Sequence, residues 1–273
     1  MTVEGIRVSR RWLSLREPAD AAARATELVE EVTRYLPATC RRVIHDLGCG
    51  TGAMGRWLAP LLPGPQHWVV HDRDPDLLEV AAADLPAPAA DGAAVSVEAN
   101  QTDITRLDPG KLADASLITA SGLLDLLTED ELAGLVTVCV GAGCPALLTL
   151  TVVGRVYLTP ADPLDRRLGA AFDAHQRRMT DRGRLLGPDA VAVAREEFSR
   201  LGAEVLGRPS PWRLGTSQAE LAAEWLTGWV SAACEQEVEL TAESDAYTRR
   251  RLAEARAGRL TVTVEHADLL VLP

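Results

Sequence analysis

The stretch VIHDLGCGTGAMGRWL, residues 43–58, sets an acid, Asp46, two residues ahead of Gly48 and then repeats glycine at Gly50 and Gly52. Glycine loses more conformational freedom on folding than any other residue, so glycines at alternate positions imply a close approach that a Cβ would block. A strand, a glycine turn and a helix N-terminus together make a nucleotide-type site. The spacing is G-x-G-x-G, not the G-x-G-x-x-G of pyrophosphate binders, and Asp46 would repel a pyrophosphate. An acid there suits a cation, such as an amine or a sulfonium with an amino-acid tail. Asp46 has a second reading, as a helix cap.

Proton transfer needs a different residue set. Of the five histidines, His45 and His71 lie inside apolar runs and read as structural, and His67 begins a strand. His266 sits beside Asp268 in the closing strand, and His175 falls in a polar stretch after the fifth strand. His175 is therefore the candidate base, against a reading as a solvated helix residue. Asp125, in SGLLDLL, is comparable, and it could instead cap or pair locally. Trp212 and Trp225 could line an apolar acceptor pocket, although Trp225 and Trp229 at helical spacing also suit a core. Arg177 could hold a substrate carboxylate or form a surface ion pair. Glu235, at a helix C-terminus that disfavours negative charge, completes the substrate candidates.

The elements that must position these groups alternate. Helices are predicted over 18–36, 54–62, 75–84, 128–140, 188–201, 218–234 and 243–257. Strands are predicted over 43–47, 67–72, 94–99, 115–120, 145–153, 203–212 and 260–273. Thr128 and Glu131 have the spacing of a capping box. This rhythm implies a parallel, doubly wound α/β sheet whose strand C-termini share one edge. Asp46, Asp72, Asp103 and Ser121 all fall at or just after such ends.

In order and spacing these segments resemble a class I S-adenosylmethionine-dependent methyltransferase, over about residues 40 to 150. HDLGCGTG is similar to that family's first motif, which makes Asp46, Gly48, Cys49, Gly50 and Gly52 cofactor-binding. WVVHDRDPDLLEVA resembles the second, implying that Asp72, with Arg73 beside it, meets the ribose hydroxyls. NQTDITRL resembles the third, with Asp103 at the adenine amino group and Ile104 at its ring. LITASGLLDLL resembles the fourth, bringing Ser121 near the methyl group. Ser116 stands where many members have Asp, and Asp114 precedes it by two residues. The second half is more loosely similar to small-molecule methyltransferases such as the trans-aconitate group. There, Arg16 matches a leading-helix arginine that faces the methionine carboxylate.

The resemblance implies a single domain over 1–273: an N-terminal helical segment (1–40), a cofactor half (41–153), cap insertions (154–187 and 216–258) and closing strands (188–215 and 259–273). It implies S-adenosyl-L-methionine as cofactor, no metal, a Rossmann-like seven-stranded sheet and O-, N- or C-methylation of a small molecule in specialised metabolism. A non-catalytic binding module and a protein or RNA methyltransferase are the alternatives. A nicotinamide oxidoreductase conflicts with the glycine spacing.

Composition bounds this reading. A net charge of −11 opposes nucleic acid. Arg249, Arg250 and Arg251 form the sharpest basic cluster and read as a solvated helix face. No apolar run suits a membrane span, and the first residues have no apolar signal core, which leads to the expectation of a cytoplasmic protein. Cys40, Cys49, Cys139, Cys144 and Cys234 fit no metal pattern and read as reduced thiols. Lys111 is the only lysine, and abundant alanine and arginine suggest a GC-rich, bacterial-like source.

Overall fold

The structure, a computed structural model, describes residues 8–36, 41–85 and 88–273. Cys40 lies outside them; the other four cysteines are free thiols. The sheet is built from β1 (Arg42–Leu47), β2 (Gln66–Asp72), β3 (Val95–Gln101), β4 (Leu117–Ser121), β5 (Ala146–Thr159), β8 (Glu204–Pro209), β9 (Trp212–Leu214) and β10 (Thr261–Leu272). Its helices are α1 (Arg10–Ala23), α2 (Thr26–Tyr35), α3 (Ala53–Leu58), α4 (Pro75–Asp84), α5 (Glu129–Gly141), α6 (Asp165–Gln176), α7 (Ala190–Arg200), α8 (Ala219–Gln236) and α9 (Thr241–Arg256). A small hairpin, β6 (Met179–Thr180) and β7 (Gly183–Arg184), lies apart from the sheet.

Strand order is β3-β2-β1-β4-β5-β10-β8, with β9 also on β10. β1 pairs in parallel with both β2 and β4, so the order reverses there. Such a reversal opens a crevice beyond the strand C-termini. β10 is antiparallel to β5 and β8. This is the doubly wound arrangement implied by the sequence, with seven strands in the main path and β9 as an eighth on β10.

Burial follows the period-two alternation of the strands. Ile44, Trp68, Val70, Leu117 and Leu147 pack on one face with Leu28, Val32, Met54 and Leu58. Leu47, Ile118, Ala120 and Leu148 pack on the other with Leu132, Val136 and Phe198. A third cluster joins Leu168, Leu226, Trp229 and Tyr247 from α6, α8 and α9 to Val262 and Val264. The Thr128–Glu131 capping box is formed.

Several boundaries differ from expectation. The helix predicted over 18–36 is two helices. Ser9 caps the first from its N-terminus, and the chain leaves helical geometry at Arg24, whose ψ is 138°. The Ala25 N–H donates to the buried Asp268 carboxylate instead of continuing the helix, so a tertiary hydrogen bond makes the elbow. β5 runs on to Thr159, because β10 pairs with it through two irregularities. Between the pairs Ala267–Thr151 and Leu269–Leu148 stand two residues of β5 and one of β10, and Leu150 there adopts φ +58°. A left-handed leucine costs about 1–2 kcal/mol, and its N–H is held by Asp268 Oδ1 at 2.8 Å. The strand predicted over 203–212 splits into β8 and β9, with Ser210 between them bonded to Asp268.

The basic cluster also needs correction. Arg251 is not on a solvated face. It is buried, bonded to both Asp165 oxygens, to the Pro160 carbonyl and to Glu254. Tyr247 also donates to Asp165, so α9 is locked to α6.

Candidate functional site

At the reversal of strand order, the ends of β1, β2 and β4 open into a cavity of about 400 Å³. Asp46, Gly48, Cys49, Gly50, Asp72, Arg73, Asp103, Ile104, Ser121, Asp125 and Arg16 all line it. One face of α1 lies across it, at Trp12, Arg16, Asp20 and the terminal Arg24, spaced every fourth residue.

Asp46 occupies the same strand face as the buried Ile44, where helix cover ends. It caps no helix. Its Oδ1 accepts from Thr119 Oγ1 at 2.8 Å, while Oδ2 is buried without a partner. Burial pushes its carboxyl up to about 7, against the hydrogen bond from Thr119 and the charge of Arg24. Gly48 and Gly50 have φ of +66° and +54°, which their loop requires. The loop is tied to β2: Cys49 N donates to the His71 carbonyl, and Gly50 N to Asp72 Oδ2 at 2.9 Å. Asp72 Oδ1 accepts from Asp74 N at 3.0 Å. A carboxylate has about four lone-pair sites, so capacity for two hydroxyl donors is left. Asp103 caps its turn through Thr105 N and Oγ1, which satisfies the turn reading while leaving it on the cavity wall.

Gly52 stands apart. It is not on the cavity wall, and a Cβ there would meet the Ala81 backbone at 3.2 Å. Its φ of +82° and the close approach of α4 together account for that glycine.

Sequence reasoning missed Arg24. It is buried, donates to Ser121 Oγ at 3.0 Å and lies over the Trp57 ring at 5.2 Å. Its Nε and Nη1 are buried without partners. A guanidinium cannot shed its charge, so two unsatisfied donors call for an acceptor. The orphaned Oδ2 of Asp46 calls for a donor in the same cavity. A ligand bearing both a carboxylate and an ammonium, an α-amino acid end, answers both needs. The four-residue spacing from Arg16 and Asp20 was the signal available. Arg16 is committed differently: its Nε donates to Asp20 Oδ2 at 2.8 Å, and its guanidinium lies over Trp212.

A further stretch of the wall is formed by Leu123, Asp125, Leu126 and Leu127, with Arg182 reaching in from the turn between β6 and β7. Burial pushes the Asp125 carboxyl up to about 6, opposed in part by Arg16. Arg182 donates to Glu131 Oε1 at 2.7 Å and to the Leu126 carbonyl, which clamps the hairpin over this wall.

The other candidates are elsewhere. His175 is not on the cavity wall and meets exposed Glu235 at 3.2 Å on the outer side of α6 and α8. The segment after β5 does reach the cavity, but through Arg182 rather than through this helix. Arg177 forms a fork with Asp189, both distances 2.6 Å. Trp225 is buried against Trp229, with ring centroids 5.3 Å apart. Trp212 supports the site from behind by donating to Asp20 Oδ1 at 2.9 Å. α8 and α9 contribute no wall residue to this cavity.

Residues 44–142 match the family model described as a methyltransferase domain. No curated protein matches the chain in sequence. Among solved structures, the cyclopropane synthase MmaA2 from Mycobacterium tuberculosis superposes with a TM-score of 0.50 at 15% identity, covering 97% of this chain and 94% of that one. An S-adenosylmethionine-dependent methyltransferase from Geobacter sulfurreducens, in complex with S-adenosyl-L-homocysteine, gives a TM-score of 0.45 at 14% identity, covering 97% and 98%. The first likeness extends the shared fold over nearly the whole chain.

Proposed function

We propose that this chain, an enzyme with a methyltransferase domain at residues 44–142 and S-adenosylmethionine as its cofactor, methylates a small-molecule acceptor held against Asp125. The cofactor supplies, when bound, an electrophilic methyl on a neutral leaving group. Much of the rate then comes from positioning. Asp46 and Arg24 hold the amino-acid end, Asp72 takes the ribose hydroxyls, and Asp103 with Ile104 bounds the base. Asp125 orients the acceptor and takes the proton that a hydroxyl or ammonium must lose.

The observation that carries the small-molecule reading is the size of the cavity. The cavity is about 400 Å³, within the range of roughly 300–1,000 Å³ usual for small-ligand sites, and it must hold the cofactor as well. α1 and the Arg182 hairpin close it from two sides. Within residues 154–187 the hairpin carrying Arg182 thus acts as the acceptor-side cap, while α8, in 216–258, packs on α6 outside the cavity. No described helix is long and apolar enough to cross a membrane.

The test is transfer of labelled methyl from adenosylmethionine into extract separated by size. Label in the low-mass fraction is expected. Label confined to protein or RNA would overturn the reading.

A further inference from the structure

Asp268 lies outside the cavity wall, yet it is fully buried at the β5–β10 irregularity. Its carboxylate accepts three hydrogen bonds, from Ala25 N to Oδ2 at 2.8 Å, from Leu150 N to Oδ1 at 2.8 Å and from Ser210 Oγ to Oδ1 at 2.5 Å. The geometry points to Asp268 as the positioning residue for the arginine that receives the cofactor's carboxylate, Arg24. This inference rests on the reading of Arg24 given above.

Two chain segments set the Arg24 guanidinium, and Asp268 holds both. The first is the α1–α2 elbow. Arg24 is its corner, and the next residue's N–H is the one bonded to Asp268 Oδ2. The second is the end of β4, which presents Ser121 Oγ to Arg24 Nη2. Ser121 is in register with Thr149, and Gly122 N donates to the Thr149 carbonyl. Leu150 follows directly, in the left-handed conformation whose N–H reaches Asp268 Oδ1. One carboxylate therefore registers both ends of the Arg24–Ser121 hydrogen bond. Groups that act on a ligand need this kind of support to hold their geometry.

A merely structural Asp268 would affect every ligand alike. A positioning role affects only ligands with an amino-acid end. S-adenosylhomocysteine has that end, and 5′-methylthioadenosine shares the adenosine and sulfur without it. Both are titrated calorimetrically into the wild-type chain and into Asp268→Asn, Ser210→Ala and Arg24→Gln, each shown to be folded by thermal melting. In Asp268→Asn an amide donor opposes the Ala25 or Leu150 N–H, and adenosylhomocysteine affinity should fall about tenfold or more while methylthioadenosine changes less than about twofold. Ser210→Ala, a milder change, should show the same selectivity at about threefold. Equal losses for both ligands, or unchanged adenosylhomocysteine binding, overturn the inference. If Asp268→Asn does not fold, Ser210→Ala decides by the same criteria. Arg24→Gln separates the two levels. A selective loss there, with an unselective Asp268→Asn, overturns the positioning role alone. Wild-type adenosylhomocysteine affinity in Arg24→Gln overturns the reading of Arg24 and the positioning role with it.

Discussion

His45 Nδ1 lies 2.9 Å from His71 Nε2, two buried rings nearly parallel at 18°, directly behind the glycine loop. Asp114 accepts from His45 Nε2 at 3.1 Å, so His45 Nδ1 is the acceptor and His71 Nε2 the donor. Both rings are then neutral, and His71 Nδ1 is buried without a partner. Burial, reinforced by His45, holds the His71 imidazole down at about 4, below its ordinary 6.5.

A histidine depressed in the fold contributes stability above its unfolded value and loses it as the pH falls. His71 should lose its contribution between pH 6.5 and about 4, on the order of 3 kcal/mol. Asp46 and Asp125 act in the opposite sense, since their raised carboxyls favour the fold as the pH falls. The comparison must therefore be between variants. Urea unfolding of His71→Gln and wild type at pH 7 and pH 5 should show the variant gaining on wild type at the lower pH. A pH-independent difference would count against the neutral pair.

Asp46 links cofactor binding to pH. Its carboxyl is protonated below about 7 in the empty cavity, and an ammonium at Oδ2 favours the charged form. Binding of adenosylhomocysteine should then release a proton near pH 6, visible as a dependence of calorimetric heat on buffer. Affinity should rise with pH up to about 7 and then level. Asp46→Asn should cost about 10–100-fold and abolish the dependence. Affinity that is flat from pH 5.5 to 8 in the wild type (the range about 7) would remove Asp46 from the ligand's first contacts.

The general base is a choice between Asp125 and His175, and the geometry separates them. Asp125→Asn should lower the methylation rate about 10²-fold or more with adenosylmethionine affinity nearly intact. The wild-type rate should climb as the pH rises through about 6, where the Asp125 carboxyl ionises. His175→Ala, which loses only the contact with exposed Glu235, should turn over normally. The reverse pattern of rates would return the role to His175.

Arg251 offers a test of the cap. Arg251→Met leaves Asp165 partly buried without its cation, and breaking a buried pair costs about 3–5 kcal/mol. A large fall in the urea midpoint is expected, with adenosylhomocysteine affinity unchanged in the folded protein. A surface-like loss below about 1 kcal/mol would mean that the pair is open to solvent.

Local chemistry determined much of this protein from sequence alone. The glycine spacing, the acids ending successive strands and the capping box at Thr128 each act within a few residues, so their meaning survives without the fold. Alternation of strands and helices was enough for the doubly wound sheet. Tertiary structure decided what long-range contacts control. His175 and Arg182 belong to the same polar insertion, and only the hairpin clamped on Glu131 brings one of them to the cavity. Arg251 reads as solvated until Asp165, 86 residues away, takes it into the interior. A helix that periodicity alone would continue is broken at Arg24, because a carboxylate 243 residues from Ala25 accepts its N–H. Pairings of that separation leave no periodic trace in the chain, since they depend on which elements the sheet brings side by side.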